Sequence, residues 1–268
     1  MNKSFDIIGN IAIVKFSEGA TLKEKKKDAE LLMRKNKHIF SVFEKRGKIS
    51  GEERIPDVKW IAGKRSSVTL HRENGCVFKV DVRKVFFTPR LSNERMRVVS
   101  QIKSGEEVLD MFAGVGPYTI PAAKRAKEVC SIDINRDAVA LLKENLKLNH
   151  IHNVRVFCGD SKRVVKRLEI KFDQIIMNYP LDAETFLDAA ISVLKSPGKI
   201  HFYSFVSMHG ESDMKEKMDM IRKHFIGKKI KIERFYAGEI APNIVRTCFD
   251  ITVLGRNTVS NQGRDMLV

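Results

Sequence analysis

Glu107-Val-Leu-Asp110-Met-Phe112-Ala-Gly114-Val-Gly116-Pro117 decides the fold. Its first residues are a short apolar strand. Its glycines permit the tight turn and close backbone approach that a ligand-binding strand-to-helix corner needs. Pro117 suits the first turn of the helix that follows. A dinucleotide fingerprint would place a further glycine where Thr119 stands, and a P-loop would bring a basic residue; neither is there. The corner therefore reads as the seat of a cofactor without a pyrophosphate.

Downstream, strands at 107–112, 128–134, 154–158, 172–177 and 199–205 alternate with helices at 117–126, 136–148, 162–168 and 185–194. The helix at 136–148 carries Ala138, Leu141, Leu142 and Leu146 on one stripe. After a helix at 214–224, strands at 229–235 and 245–254 follow one another with no helix between them. Alternation predicts a mostly parallel sheet covered on both faces, and the last pair predicts an antiparallel end. This α/β pattern resembles the Rossmann-like, seven-stranded sheet of class I methyltransferases.

Upstream, residues 1–75 read as a small α+β domain and 76–256 as the main domain, with 257–268 as a polar tail. Two short strands turn at Gly9-Asn10. Thr21 opens a charged helix with Glu24 as its capping-box partner, seated by Leu31, Leu32 and Met33. Ser41 to Glu44 and Val68 to Arg72 read as strands, and Lys45 to Lys64 as a polar stretch between them.

The chain of 268 residues holds 49 Lys and Arg against 33 Asp and Glu, a formal net charge of +16. Such an excess attracts polyanions and points to nucleic acid. No apolar run is long enough for a membrane span, and Met1-Asn-Lys-Ser-Phe-Asp is no secretory signal. Cys76, Cys130, Cys158 and Cys248 are scattered, without a C-x-x-C pair, which argues against zinc and fits buried, reduced cysteines of a cytoplasmic protein. No metal is expected, and the chain is expected to be a monomer.

Three acids fall at the carboxyl ends of consecutive strands, where open parallel sheets bind ligands: Asp110, Asp133 and Asp160. Asp133, with Ile134 beside it, is placed for ribose hydroxyls, and Asp160-Ser161 for the adenine edge. Asp133 and Asp160 also read as helix N-caps. With Phe112, Gly114 and Gly116 they form a cradle for S-adenosyl-L-methionine. The fourth strand ends in Asn178-Tyr179-Pro180, which can aim an amide at a base edge or simply make a turn.

Val85-Phe-Phe-Thr-Pro89-Arg90-Leu-Ser-Asn-Glu94-Arg95, the Asp110 to Pro117 corner, Ile132-Asp-Ile-Asn135 and Asn178-Tyr-Pro180 together resemble the archaeal and eukaryotic tRNA (guanine-37-N1)-methyltransferases. Ser4 to Ala12 resembles the start of that family's second domain. Two features depart from the family: its Asn-Leu-Pro reads Asn-Tyr-Pro here, and the N-terminal domain that many archaeal members use to grip the outer corner of tRNA has no counterpart in the sequence.

The resemblance implies methylation of guanine N1 beside the anticodon of tRNA. That nitrogen carries a proton at neutral pH, so a positioned base must remove it. The family's base maps onto Glu94, with Arg54 as the cation at O6 and Asn178 on the guanine edge. Arg90, four residues before Glu94, is expected to orient it if the stretch is helical, and Arg95 to lie near the methionine carboxylate. One rival is transfer of the cofactor's aminocarboxypropyl group in the wybutosine pathway; relatives that catalyse it often show Gly-Tyr where Asn178-Tyr179 stands. A second is a basic RNA-binding scaffold without activity. Methylation of protein or of DNA adenine fits the fourth-strand motif poorly.

Overall fold

The computed structural model describes residues 5–47, 51, 53–208 and 210–255; the tail expected at 257–268 lies outside them. The chain opens with β1 (Phe5–Ile8) and β2 (Ile11–Val14), turning at Gly9-Asn10, then α1 (Leu22–Lys35), β3 (Ser41–Lys45) and β4 (Val58–Gly63). These strands form one sheet in the order β1-β2-β3-β4, with β2 and β3 parallel. Thr21 caps α1 and makes the full capping box with Glu24. The helix seats Ala29, Leu32 and Met33 against Ala12, Val14, Val42 and Ile61. Leu31 points outward, contrary to expectation. The stretch at 45–64 is not wholly irregular, since β4 lies within it. Its apolar residues Val58, Ile61 and Ala62 are buried without strict alternation, and so read poorly as a strand.

Next comes a hairpin of β5 (Val68–Glu73) and β6 (Cys76–Asp81). Asn74 and Gly75 both adopt positive φ at its tip, 49° and 67°, which suits a tight two-residue turn. A 3-10 turn at Pro89–Leu91 leads into α2 (Ser92–Ser100).

The larger domain then runs β7 (Glu107–Asp110), α3 (Thr119–Ala123), β8 (Glu128–Asp133), α4 (Arg136–Leu148), β9 (Val154–Cys158), α5 (Ser161–Val165) and β10 (Phe172–Met177). It continues with α6 (Leu187–Ser192), β11 (Leu194–Ser207), α7 (Glu211–His224), β12 (Ile230–Ala241) and β13 (Ile244–Val253). The seven strands lie in the order β12-β13-β11-β10-β7-β8-β9. Strands β11, β10, β7, β8 and β9 are parallel, and β13 and β12 close the sheet antiparallel. The sheet is therefore of the expected class. Apolar side chains pack on both faces: Leu109, Met111, Ile175 and Phe249 on one, Val108, Ile176, Tyr203 and Cys248 on the other.

The hairpin ties the two sheets together. Asn145 on α4 accepts from the Lys79 N–H at 2.6 Å and donates to the Lys79 carbonyl at 3.1 Å. Asn149 repeats this with Val77, at 2.8 Å and 2.6 Å. On the other side, Gly9 meets β5 so closely that a Cβ would lie 2.4 Å from the Leu70 carbonyl oxygen. The Gly9 N–H donates to His71 at 3.1 Å. The boundary expected between residues 75 and 76 falls at the tip of this hairpin, whose two strands pair with each other.

Three cysteines are buried and free; Cys158, the last residue of the edge strand β9, is free but exposed. His201, Cys248 and Asp250 cluster in the interior. Their donors are taken up by one another and by neighbours: His201 bonds Gln174 at 3.0 Å and Asp250 at 2.7 Å, and Cys248 donates to Asp250 at 3.3 Å. Among the described residues no helix is long and apolar enough to cross a membrane.

Candidate active site

A cavity of about 160 Å³ opens at the carboxyl ends of β7, β8 and β10. Phe112, Gly114, Asp133, Ile134, Asp160, Ser161, Asn178, Arg54 and Arg95 all line it. Residues far apart in sequence thus meet because parallel strands end together at one edge of the sheet.

Gly114 has φ of 55°, and a Cβ there would meet no atom within 4 Å, so the backbone presents an open face to the cavity. Its N–H donates to Asp133 Oδ2 at 2.6 Å, and the Asn135 N–H donates to Oδ1 at 2.9 Å. Burial raises the Asp133 carboxyl above its usual range, against these two hydrogen bonds. Each oxygen keeps a further acceptor direction, which suits a pair of ribose hydroxyls. Asn135, not Asp133, caps α4. Asp160 lines the cavity and also caps α5, accepting from the Arg163 N–H at 3.1 Å. Ser161 donates its hydroxyl to the Met111 carbonyl at 2.5 Å, which pins β7 to α5.

Two expected contact residues stand behind the wall instead. Asp110 is fully buried and accepts from the Thr119 hydroxyl at 2.8 Å, while its Oδ1 has no partner. Burial above all pushes its carboxyl up to about 7. Gly116, with φ of 93°, does not line the cavity; a Cβ there would lie 2.5 Å from Leu142 Cδ1, so this glycine serves helix packing. Both residues shape the corner without lining the cavity.

The target side is aromatic and cationic. Tyr179 stacks on Phe112, with centroids 5.0 Å apart and 26° between planes, and Phe186 meets Phe112 edge-on at 5.0 Å. The Arg54 guanidinium lies 4.2 Å from the Phe86 centroid and 5.9 Å from that of Tyr179. Its backbone is left-handed, with φ of 53°. Burial first, then the charge of Arg246, lowers Arg54 to about 10.

Glu94 and Arg90 are not brought together. Arg90 lies in the 3-10 turn ahead of α2, so helical spacing does not apply, and its Nε donates to Asp6 at 2.5 Å. Glu94 is held by a residue the sequence reading passed over. Arg97 Nε donates to Oε2 at 2.7 Å and Nη2 to Oε1 at 2.9 Å. The Tyr203 hydroxyl adds a donor to Oε1 at 2.7 Å, and Tyr118 bonds Tyr203 at 2.8 Å. Glu94 is buried on α2 and does not line the cofactor cavity. Of a carboxylate's roughly four acceptor directions, one on Oε2 remains open among the described residues. Arg95 does line the cavity, but Glu73 takes its guanidinium in a paired contact at 2.7 Å and 2.6 Å. Tyr118, Tyr203 and Glu73 carry no local motif; only Arg97, one helical turn after Glu94, left a signal.

The strand order, the glycine corner at the first parallel strand and the ribose-type acid at the second define a class I methyltransferase. Residues 69–233 match the TRM5/TYW2 methyltransferase domain, and residues 1–66 match the TYW2 N-terminal domain. The tRNA (guanine(37)-N(1))-methyltransferase Trm5b of Pyrococcus abyssi is 47% identical over 203 residues, 75% of this chain and 60% of that protein. The tRNA(Phe) (4-demethylwyosine(37)-C(7)) aminocarboxypropyltransferase of Methanocaldococcus jannaschii is 35% identical over 209 residues, 77% of this chain and 80% of that protein. The crystal structure of Pyrococcus abyssi Trm5b superposes with a TM-score of 0.85 at 40% identity, over 94% of this chain and 75% of that one. That of M. jannaschii TYW2 in complex with AdoMet gives 0.69 at 27% identity, over 94% and 100%. The chain belongs to the TRM5/TYW2 methyltransferase family. It spans about 60% of the length of the Trm5b relatives it matches.

Proposed function

We propose that this chain uses S-adenosyl-L-methionine to methylate N1 of guanine 37 in tRNA. The observation that carries the reading is the placement of Asn178 and Arg54 on one cavity with Gly114 and Asp133. The open Gly114 face and the free acceptor directions of Asp133 fit a nucleoside cofactor. Phe112 and Ile134 would flank its adenine, and Asp160 its amino edge. When bound, the cofactor supplies an electrophilic methyl group.

The chain's own residues do the rest. Asn178 offers an amide donor and acceptor to the guanine edge, and Pro180 stiffens the turn that aims it. Tyr179, stacked on Phe112, closes the apolar wall and keeps water from the reacting atoms. Glu94, fixed by Arg97 and Tyr203 just outside the cavity lining, takes the N1 proton through its open Oε2 direction once the bound base comes within hydrogen-bond reach of it. Arg54 stabilises the charge that proton removal places on O6. The net charge of +16 draws the RNA in. The target base stands in a loop and can enter the cavity without breaking a pair.

Similarity to Trm5b, at 47% identity, exceeds that to the aminocarboxypropyltransferase, at 35%. Asn178 and Pro180 favour methyl transfer in the same direction. Incubation with labelled S-adenosylmethionine and two unmodified transcripts, with and without guanine at position 37, tests the reading. Label should enter only the first; equal labelling of both would refute the site assignment.

A further inference from the structure

Arg95 on α2 is only 2% exposed, yet it lines the cofactor cavity. A guanidinium keeps its charge even when buried. Four of its five N–H donors are taken up by protein: two by Glu73, at 2.7 Å and 2.6 Å, and two by the Thr88 carbonyl, both at 3.2 Å. The guanidinium also lies 5.5 Å from the Phe87 centroid. Arg95 therefore braces Phe87 and Thr88, which line the same cavity.

A charge in this wall bears on the cofactor. S-adenosyl-L-methionine carries one positive charge more than S-adenosylhomocysteine, the product left when the methyl group departs; the two molecules are otherwise alike. An unpaired cation in the wall would favour the product over the cofactor. Glu73 removes that bias. It ends β5, is buried, and accepts Nε and Nη2 on its two oxygens, the paired geometry in which a carboxylate best matches a guanidinium. His71 backs the carboxylate. Its Nδ1 accepts from the Gly9 N–H at 3.1 Å, which leaves the ring neutral with its proton on Nε2, 3.4 Å from Glu73 Oε2. Burial opposes ionisation of Glu73, but the bonds from His71 and Arg95 outweigh it and hold the carboxyl below its usual range. The cluster thus holds one cation, one anion and a neutral ring. Its frame does not depend on Glu73 alone. The next residue, Asn74, donates to the Ser92 carbonyl at 3.2 Å and to its hydroxyl at 2.9 Å, which ties the hairpin tip to α2.

We propose that Glu73 is a specificity-determining residue for the cofactor: by cancelling the charge of Arg95 it keeps the cavity wall open to a sulfonium cation. The inference rests on S-adenosyl-L-methionine as the cofactor, and not on which atom of the RNA receives the methyl group. Arg54, the other cation of the lining, is the same in every variant below and drops out of the comparison.

The test is calorimetry of the full chain, free of RNA, with S-adenosylmethionine and with S-adenosylhomocysteine. Glu73→Gln keeps the shape of the side chain and removes its charge. The ratio of the two affinities should turn about tenfold toward S-adenosylhomocysteine relative to wild type, the effect of one unpaired charge felt across a protein interior. Glu73→Asp keeps the charge and should hold the wild-type ratio. The double variant Glu73→Gln with Arg95→Met removes both charges and should restore it. A purely structural ion pair would weaken both molecules alike, so equal losses with an unchanged ratio overturn the proposal. So does a shifted ratio that the double variant fails to restore. If Glu73→Gln does not fold, Arg95→Met is read in its place above neutral pH. The unpaired Glu73 should then turn the ratio toward S-adenosylmethionine, and an unchanged ratio overturns the proposal. If wild type binds neither molecule, the inference falls with the cofactor. Failure to methylate RNA would refute the methylation reading alone, since the ratio is measured without RNA.

Discussion

Arg97 grips two carboxylates at once: both oxygens of Glu94, at 2.7 Å and 2.9 Å, and both oxygens of Asp250, at 2.8 Å and 3.3 Å. The contact joins α2, which follows the Thr88-Pro-Arg turn, to the last strand of the sheet. Burial opposes the charge of Arg97, but the hydrogen bonds it donates to Glu94 and Asp250 outweigh it and hold the guanidinium charged well above its usual range. Glu94 is thus set by the sheet's antiparallel end, far from it in sequence.

Removing the acceptor without changing its shape isolates the chemistry. Glu94→Gln should lower single-turnover methylation about 10²- to 10⁴-fold and leave cofactor affinity unchanged. Wild-type turnover in this variant would take Glu94 out of the mechanism.

Asp250 anchors the grip. Burial opposes its ionisation, but His201, Arg97 and Gln101 outweigh it and keep the carboxyl well below its usual range. A carboxyl with a depressed folded value stabilises above its unfolded value and loses that contribution as pH falls through the folded one. Asp250→Ala should therefore cost about 3 kcal/mol near neutrality, read from urea unfolding. The difference from wild type should shrink in strong acid; a difference independent of pH would contradict the assignment.

The two glycines of the corner should separate by function. Gly116→Ala places a methyl against Leu142 and should destabilise the fold by about 1–3 kcal/mol. Gly114→Ala meets no protein atom and projects toward the cofactor cavity. It should weaken cofactor binding about tenfold for a loss of only about 1 kcal/mol in stability. Calorimetry and urea unfolding on both variants check the split, and equal effects on the two readouts would refute it.

Asp110 should make stability fall with pH where most carboxylates make it rise. Its folded value, about 7, lies above the unfolded one, chiefly through burial. The stabilising contribution is therefore complete below the unfolded carboxyl range and is lost as pH rises through about 7. Without cofactor, wild type should lose urea resistance between pH 5 and pH 8 relative to Asp110→Asn by more than about 1 kcal/mol. Parallel pH profiles would show that Asp110 titrates normally.

The parallel core was legible because its signals are local. Helix α4 spans Arg136–Leu148 as its stripe of Ala138, Leu141, Leu142 and Leu146 requires, and Asn178-Tyr179-Pro180 ends β10 beside the cavity. The Asn74-Gly75 turn was a readable hairpin signal, yet β6 went unread, as did β4 in its charged surroundings. At the site, spacing misled once. Arg90 and Glu94 are four apart, but the helix begins only at Ser92, so Arg97 takes the place assigned to Arg90. Tyr203 was beyond reach of the sequence, because the fold brings β11 beside α2, more than a hundred residues earlier in the chain.

The central claim is methyl transfer to one base. Its most direct test is the mass of the nucleoside recovered from position 37 after wild-type protein has acted on an unmodified tRNA transcript with S-adenosylmethionine. The account predicts guanosine carrying one added methyl group, with the nucleobase alkylated at N1. An aminocarboxypropyl adduct, a methyl group elsewhere in the RNA, or unmodified guanosine would contradict it.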